Sequence, residues 1–372
     1  MLNGIIDFDY ILAILHEIIM ANKTENMDEI RKETKKYTRK HQIYARIAHI
    51  FPNFVLKKLN LYYHALTALR DYDLADFQYN KMVCLEFLDY CFNNRKKLYL
   101  DLSLFKEEED KNLILRHTRN ILYIALSSHN PKMSEESLEY RRKYDAFSNN
   151  IEKARGVFVL KVENHEFTLL IKHFEEVIFF HKYGTDALPS YIRQTLANKD
   201  FIDAGAFVGD ASLILNQLKP NKIYAFEPSK INYFLMQKTL KLNKLLNVIP
   251  VCSALSNKEG VSNMFYWDNA SFLSAEGNEE VNMTTIDSFQ EKNSLNVGLI
   301  KMDIEGSEFY AIQGAERTIK KFKPVLIISL YHGGKDFFEI PRILKDWMPT
   351  YTLKFLDLNR VSTVREKVLL AY

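Results

Sequence analysis

The chain has 372 residues, enough for two domains or for one large domain with an extension. Hydrophobic residues make up 47% and charged residues 26%, which excludes a disordered chain or a fibre. Lys plus Arg (50) nearly balances Asp plus Glu (47), so bulk charge supplies no polyanion-binding surface and no nucleic-acid partner is expected.

The three cysteines, Cys84, Cys91 and Cys252, are too few and odd in number for a disulfide framework. The first twenty residues carry Asp7, Asp9, His16 and Glu17, so they do not read as a signal peptide. No apolar run approaches the ~20 residues that span a bilayer, and the expected address is cytoplasmic.

Residues 1–150 read as a helical module. Phe8, Ile11, Leu12, Leu15, Ile18 and Ile19 recur at helical spacing. The basic stretch 31–46 reads as a solvated helix face. Phe54, Leu59, Tyr63, Leu66 and Leu69 form a second stripe, and Met82, Leu85, Leu88 and Phe92 a third. Cys84 and Cys91 share a helix face as two small buried hydrophobes. The acidic run 106–111 suits a helix start or loop, and Ile114, Ile121, Leu122 and Ala125 form a fourth stripe. Residues 127–143 are polar, with Pro131 as a breaker. His64 with Asp71 and Asp73 reads as a locally paired set rather than a metal cluster. With no catalytic motif of its own, this module is expected to pack against the second domain, to dimerise beside it or to shape an acceptor site.

From residue 151 the pattern changes. VFVLKV, FTLLIK and EVIFFH read as short strands, the first two joined as a β-hairpin, and LPSYIRQTL as a helix. Strands and helices then alternate: FIDAGA, DASLILNQL, KIYAFEP, INYFLMQKTLKLN, NVIPVCSAL and VGLIKMDIEG. A helix carrying Phe309, Ile312, Ile319 and Phe322 follows, then PVLIISLY, a helix starting at Pro341, and the strands TYTLKFLDL and VREKVLLAY. This alternation predicts an α/β fold with a mostly parallel sheet covered on both faces. The last two strands have no helix between them and should pair antiparallel.

FIDAGAFVGDAS is the most informative segment. A strand ending at Asp203 leads through Gly205 and Gly209 to a helix beginning near Asp210. Glycine lets the backbone turn sharply and approach a ligand, and free N–H groups at a helix start suit a carboxylate or phosphate. A tight strand-to-helix turn uses glycine anyway, so this signal alone is weak. YAFEPS places Glu227 at the end of the next strand, 227 − 203 = 24 residues on, where an acidic group accepts ribose hydroxyls. A charge on a helix N-terminus is the alternative. KMDIEGSEF places Lys301, Asp303, Glu305 and Glu308 at a strand end expected beside FIDAGA.

With those segments, residues 156–350 resemble the FkbM family of S-adenosylmethionine-dependent methyltransferases. The matching text is FIDAGAFVGD, YAFEPS, NVIPVCSALSNKEG, NMTTIDSF, LIKMDIEGSEF and QGA. The resemblance implies a Rossmann-like class I methyltransferase sheet with its last strand antiparallel, a bound S-adenosylmethionine, and O-methylation of a sugar or natural-product hydroxyl. It implies cofactor contacts from Asp203, Gly205, Ala206, Phe207, Gly209, Asp210, Glu227, Pro228 and Asp303. Ser253 and Ala254 are the expected adenine edge. SLYHGGKDFFEIPRIL is similar to a subset of the family with a Y-H-x-x-x-D segment, from which TLKFLDLN departs.

His332 is the leading candidate base for the acceptor hydroxyl, since imidazole titrates near neutral pH, with Asp303 and Glu305 as the other catalytic candidates. Asp303, Glu305 and Glu308 could instead hold Mg²⁺, although transfer with a base alone is favoured. A nicotinamide oxidoreductase, a nucleic-acid methyltransferase and a non-catalytic scaffold are the other readings. The glycine spacing disfavours the first, DIEG after the fourth strand disfavours the second, and the intact Asp203, Gly205, Gly209 and Glu227 disfavour the third.

Overall fold

The computed structural model describes residues 4–22, 72–126, 135–154, 156–162, 164–267, 270–273, 279–359, 362 and 364–372. The second helical stripe, the basic stretch 31–46 and most of the His64–Asp71–Asp73 set lie outside these residues.

Strand β1 (Ile5–Asp7) enters helix α1 (Phe8–Asn22), and Asp7 accepts from the Tyr10 amide at 2.9 Å to close its first turn. Ile11, Ile14 and Leu15 are buried, whereas Leu12 is exposed. Helix α2 (Tyr72–Asn93) buries Val83, Phe87 and, as expected, Cys84 and Cys91, while of the predicted stripe Leu85 and Leu88 pack partly buried against the same core and Phe92 is exposed. Contact sets this rotation: the Phe87 ring centroid lies 5.4 Å from that of Phe337 and 5.5 Å from that of Phe338. Strand β2 (Tyr99–Asp101) pairs antiparallel with β1. Helix α3 (Glu108–Leu126) opens on Glu108, Glu109 and Asp110, where carboxylates favour the helix dipole, and buries Ile114, Ile121, Leu122 and Ala125 as expected. The polar stretch after it includes helix α4 (Glu135–Ser148), whose Tyr140 stacks on His181.

Strands β3 (Ile151–Ala154), β4 (Val157–Val162) and β5 (His165–Leu169) form an antiparallel three-stranded sheet. The β4–β5 hairpin is tighter than the sequence suggested, with Val162 opposite His165. EVIFFH is not a strand. Glu176–Phe180 forms a π-helical turn that buries Val177, Ile178 and Phe179, and Lys182–Ala187 continues as 3₁₀ helix. A short apolar run buried on several sides carries no period that separates helix from strand.

The main sheet contains β6 (Asp200–Ala204), β7 (Ile223–Phe226), β8 (Val248–Val251), β13 (Val297–Met302), β14 (Val325–Ser329), β15 (Leu353–Asp357) and β16 (Lys367–Ala371). Its order is β15-β16-β14-β13-β6-β7-β8, parallel except that β16 runs antiparallel to both neighbours. Side chains alternate across it: Phe201 joins one hydrophobic layer, Ile202 and Ala204 the other.

NVIPVCSAL divides into β8 and β9 (Ala254–Leu255). Strand β9 joins β10 (Gly260–Trp267), β11 (Ala270–Leu273) and β12 (Glu279–Thr284) in a second, four-stranded sheet. Helices α5 (Ser190–Gln194), α6 (Asp210–Leu215), α7 (Lys230–Leu242) and α8 (Ile286–Asn293) follow in chain order. The helix predicted after β13 is two, α9 (Glu308–Gln313) and α10 (Glu316–Phe322). Asp287 in α8 accepts from the Arg317 and Thr318 amides at 3.0 and 2.7 Å, capping α10. Helix α11 spans Gly334–Trp347, so Pro341 lies inside it and not at its start.

The described N-terminal helices share one core with a sheet face. Ile11, Phe87, Ile114 and Leu122 belong to the same buried cluster as Ile300, Phe337 and Leu353. Phe105 bridges to Leu353, and Arg116 reaches Asp357 at 3.3 Å. A Cβ on Gly334 would lie 2.8 Å from the Tyr90 side chain, so α2 meets the start of α11 without a gap.

Candidate active site

The strand order reverses between β6 and β13, which places a ligand-binding crevice at their carboxyl ends. Beyond β6 the chain takes positive φ at Gly205, Phe207 and Gly209. A Cβ on Gly205 would stand 1.9 Å from the Asp303 carbonyl oxygen, so only glycine lets the two strand ends approach so closely.

Asp203 was expected to contact the cofactor, and its side chain is engaged elsewhere. It is wholly buried, accepts from the Ser212 hydroxyl at 2.7 Å and stands 3.2 Å from the Lys301 ammonium. Lys301, equally buried, also donates to the Ala204 and Gly205 carbonyls at 3.3 and 2.7 Å. Burial opposes its charge, but Asp203, with Asp303 and Asp210 beyond, outweighs it and holds the ammonium above its ordinary pKa. This pair fixes the turn from inside.

Glu227 clamps the same turn from the neighbouring strand. Its carboxylate accepts from the Phe207 amide at 3.0 Å and the Ser229 amide at 2.9 Å. Burial pushes its pKa up to about 7, and those amides pull the other way. Asp210 starts α6 and is buried, which lifts its pKa to about 7 against the pull of His173. His173 lies 3.2 Å from Glu175 and 3.8 Å from Asp210, and its ring centroid is 4.8 Å from that of Phe207. Burial works against the His173 imidazolium, yet Glu175 and Asp210 raise its pKa to about 9. Ala206 is buried, and Pro228 follows Glu227 with its carbonyl 3.9 Å from the Cys252 sulfur. Ser253 and Ala254 sit at the join to the second sheet. The Ser253 hydroxyl donates to the Asn282 carbonyl at 3.0 Å, and Ala254 packs with Met264, Val281 and Met283.

The carboxyl ends of β13 and β14 bring Asp303, Glu305, Glu308 and His332 together. Glu305 adopts φ 54°, an uncommon conformation for a residue other than glycine. Glu308 sustains that bend, accepting from the Ile304 amide at 2.7 Å and the Gly306 amide at 2.9 Å. His332 Nδ1 lies 2.9 Å from Glu308, while Nε2 lies 3.4 Å from Glu305 and 3.6 Å from Asp303. Burial opposes the imidazolium, but Glu308, Glu305 and Asp303 together hold its pKa well above 6.5. The imidazole expected as the base thus stands inside a cluster of three carboxylates, Nδ1 toward Glu308 and Nε2 toward Glu305 and Asp303.

Some residues around the site had no role assigned from sequence, although Tyr331 and Asp336 are the first and last positions of the Y-H-x-x-x-D segment. The Tyr183 hydroxyl donates to Asp303 at 2.5 Å from a kink with φ 53°, two residues beyond the segment read as a strand. Burial and Asp303 keep that phenol protonated, well above its ordinary pKa. Tyr331 stands between Asp303 and Glu366, 3.4 Å from each. Asp336 accepts from the Phe309 amide at 3.0 Å, and burial followed by Glu308 lifts its pKa to about 8. The dipeptide Tyr183-Gly184 was the one available sign of a turn there. Glu366 precedes β16 and looked like part of it.

Residues 203–351 match the family model described as "Methyltransferase FkbM domain". The methyltransferase sdnD of Sordaria araneosa is 28% identical over 139 residues, 36% of this chain and 51% of sdnD, so the match spans about half of that relative's length. A crystal structure of methyltransferase FkbM from Methylobacillus flagellatus KT aligns at TM-score 0.46 and 17% identity, covering 73% of this chain and 56% of that one. The M. jannaschii TYW2 structure in complex with AdoMet aligns at TM-score 0.32 and 15% identity, over 59% of this chain and 86% of that one. Residues 203–351 are therefore similar to FkbM methyltransferase domains.

Proposed function

We propose that the protein transfers a methyl group from S-adenosylmethionine to a hydroxyl of a sugar or other polyhydroxylated acceptor. The observation that carries this reading is the juxtaposition of the glycine turn after β6 with the Asp303–Glu305–His332 cluster. Gly205 and Asp303 stand against one another, so the turn and the cluster line one crevice. When bound, S-adenosylmethionine supplies an electrophilic methyl on a sulfonium.

In this reading Glu227 accepts ribose hydroxyls, and the turn from Gly205 to Gly209 lets the cofactor approach the backbone closely. The acceptor hydroxyl is a weak acid and must lose its proton as the new C–O bond forms. Glu305, the more exposed of the two carboxylates beside His332, takes that proton, and Asp303 orients the hydroxyl. His332 Nε2 lies between these two carboxylates, 3.6 Å from Asp303 and 3.4 Å from Glu305. Tyr183 fixes Asp303 by its hydrogen bond.

The helical region shapes the acceptor side of this crevice. The support is the α2–α11 contact, where Gly334 meets the Tyr90 side chain. Among the described residues no helix is long and apolar enough to cross a membrane.

Labelled methyl transfer to a panel of saccharides, nucleotide sugars and amines tests the reading. Incorporation into a hydroxyl, prevented when the acceptor's hydroxyls are blocked beforehand, is expected. Transfer to nitrogen would overturn it.

A further inference from the structure

Resting on that reading of the crevice, we infer that His332 Nε2, Asp303 and Glu305 bind a divalent transition-metal cation that carries the acceptor hydroxyl. Asp303, Glu308 and His332 each bring one ligand atom within 4.8 Å of the others, and Glu305 adds an oxygen 3.4 Å from Nε2. Two ligands about 2.1 Å from one ion stand ~3.0–3.4 Å apart, depending on geometry. The Nε2 separations of 3.4 and 3.6 Å from Glu305 and Asp303 are longer than good hydrogen bonds and near that spacing.

The second observation is the histidine itself. Its side chain is 3% exposed, and Nε2 has no hydrogen-bond partner although it points between two carboxylates. A buried polar atom without a partner is costly, and a metal ion at Nε2 removes the cost. The other ring nitrogen is already provided for. Nδ1 faces Glu308 at 2.9 Å, and Glu308 is held by two backbone amides. That is the carboxylate–histidine–metal arrangement, in which an outer carboxylate fixes the ring's tautomer and orientation. Glu308 is the outer group here, which revises its expected place as a direct ligand. One imidazole with two carboxylates suits Mn²⁺ or Zn²⁺ better than Mg²⁺.

Binding the cation releases the Nε2 proton to solvent. The metal then takes over the charge compensation that the imidazolium provides in its absence. An acceptor hydroxyl coordinated to it becomes more acidic and gives its proton to the unligated oxygen of Glu305 as the methyl group arrives. The leaving thioether departs neutral and the product is an ether, so charge and protons balance.

The experiment uses the full chain, stripped with chelator and desalted. Mn²⁺ is titrated by calorimetry and by the loss of the free-Mn²⁺ paramagnetic resonance signal, with S-adenosylhomocysteine binding measured on the same samples. One Mn²⁺ per chain is expected in the wild type. Asp303→Asn and Glu305→Gln should each weaken it at least tenfold while S-adenosylhomocysteine affinity stays within threefold. Glu305 is partly exposed, so its variant separates a lost ligand from a lost fold. No Mn²⁺ binding, or equal affinity in wild type and Glu305→Gln, overturns the metal site. S-adenosylhomocysteine binding without Mn²⁺ binding would overturn the metal site alone, whereas failure to bind S-adenosylhomocysteine would overturn the methyltransferase reading itself.

Discussion

Lys301 and Asp203 form a buried ion pair at 3.2 Å, with side chains 2% and 0% exposed, under the turn that lines the crevice. Removing one member of such a pair strands the other charge. Lys301→Met should therefore destabilise the fold by ~3–5 kcal/mol. The double variant Lys301→Met, Asp203→Asn should recover a large part of that loss. Urea denaturation of the two variants beside the wild type checks it, and equal stability of the Lys301 variant and wild type would deny the pair its structural role.

Glu227 should give the chain a pH signature. Burial lifts its pKa from 4.5 to about 7, so between those values the folded chain holds a proton that the unfolded chain has released. Its contribution to stability is fully present below pH 4.5 and is lost as pH rises through about 7. Asp210, also raised to about 7, has the same sign, and so does His173, raised to about 9. Thermal midpoints should fall from pH 6 to pH 9, and Glu227→Gln should flatten the segment below pH 7. A rising midpoint would mean that these groups are not buried as described.

Ribose recognition makes a separate demand on Glu227. As an ionised acceptor it should contribute about 1.5–3 kcal/mol, so Glu227→Ala should weaken S-adenosylhomocysteine binding about ten- to hundredfold. Affinity measured by calorimetry should also improve from pH 6 to pH 8 as the carboxylate ionises. An unchanged Kd in the variant would confine Glu227 to bracing the Phe207 turn.

The helical region should behave as part of the catalytic fold. Phe87 packs on Phe337 and Phe338, so Phe87→Ala should cost ~3–5 kcal/mol through the cavity it leaves. The same variant should raise the acceptor KM more than it changes cofactor affinity. Two separate unfolding transitions, with Phe87→Ala moving only one, would show that the cores are independent.

The alternation of the main sheet, with β13 beside β6, was legible because its strands and helices carry their own periods and because Asp203, Glu227 and Asp303 stand at the ends of three neighbouring strands, whereas the four-stranded sheet of β9 to β12 was not foreseen. The helix after α6 and the final antiparallel pair needed no more than that. What sequence could not carry was contact. Leu85 and Leu88 matched a helical stripe as well as Phe87 and Cys91, and only the position of Phe337 and Phe338 selects the face of α2. Tyr183 reaches Asp303 from 120 residues away, out of a turn to which the sequence reading gave no role. His332 stands among three carboxylates, of which Glu308 had looked like a site ligand rather than the group that holds the ring. Pro341 was taken for a helix start because proline favours that position, yet α11 begins where Gly334 lets Tyr90 approach.

Chemistry at the cluster is tested by Glu305→Gln. Removing the carboxylate that takes the proton should reduce turnover ~10²-fold or more, with S-adenosylhomocysteine affinity retained. Turnover near wild type would pass that role to Asp303.

The central claim is that the crevice between β6 and β13 holds S-adenosylmethionine for methyl transfer, and calorimetric titration of S-adenosylhomocysteine into the full chain tests it most directly. The account predicts one site per chain, abolished in Gly205→Ala, whose Cβ would strike the Asp303 carbonyl at 1.9 Å. Absence of binding in a folded wild-type chain, or equal binding in a folded Gly205→Ala variant, would contradict it.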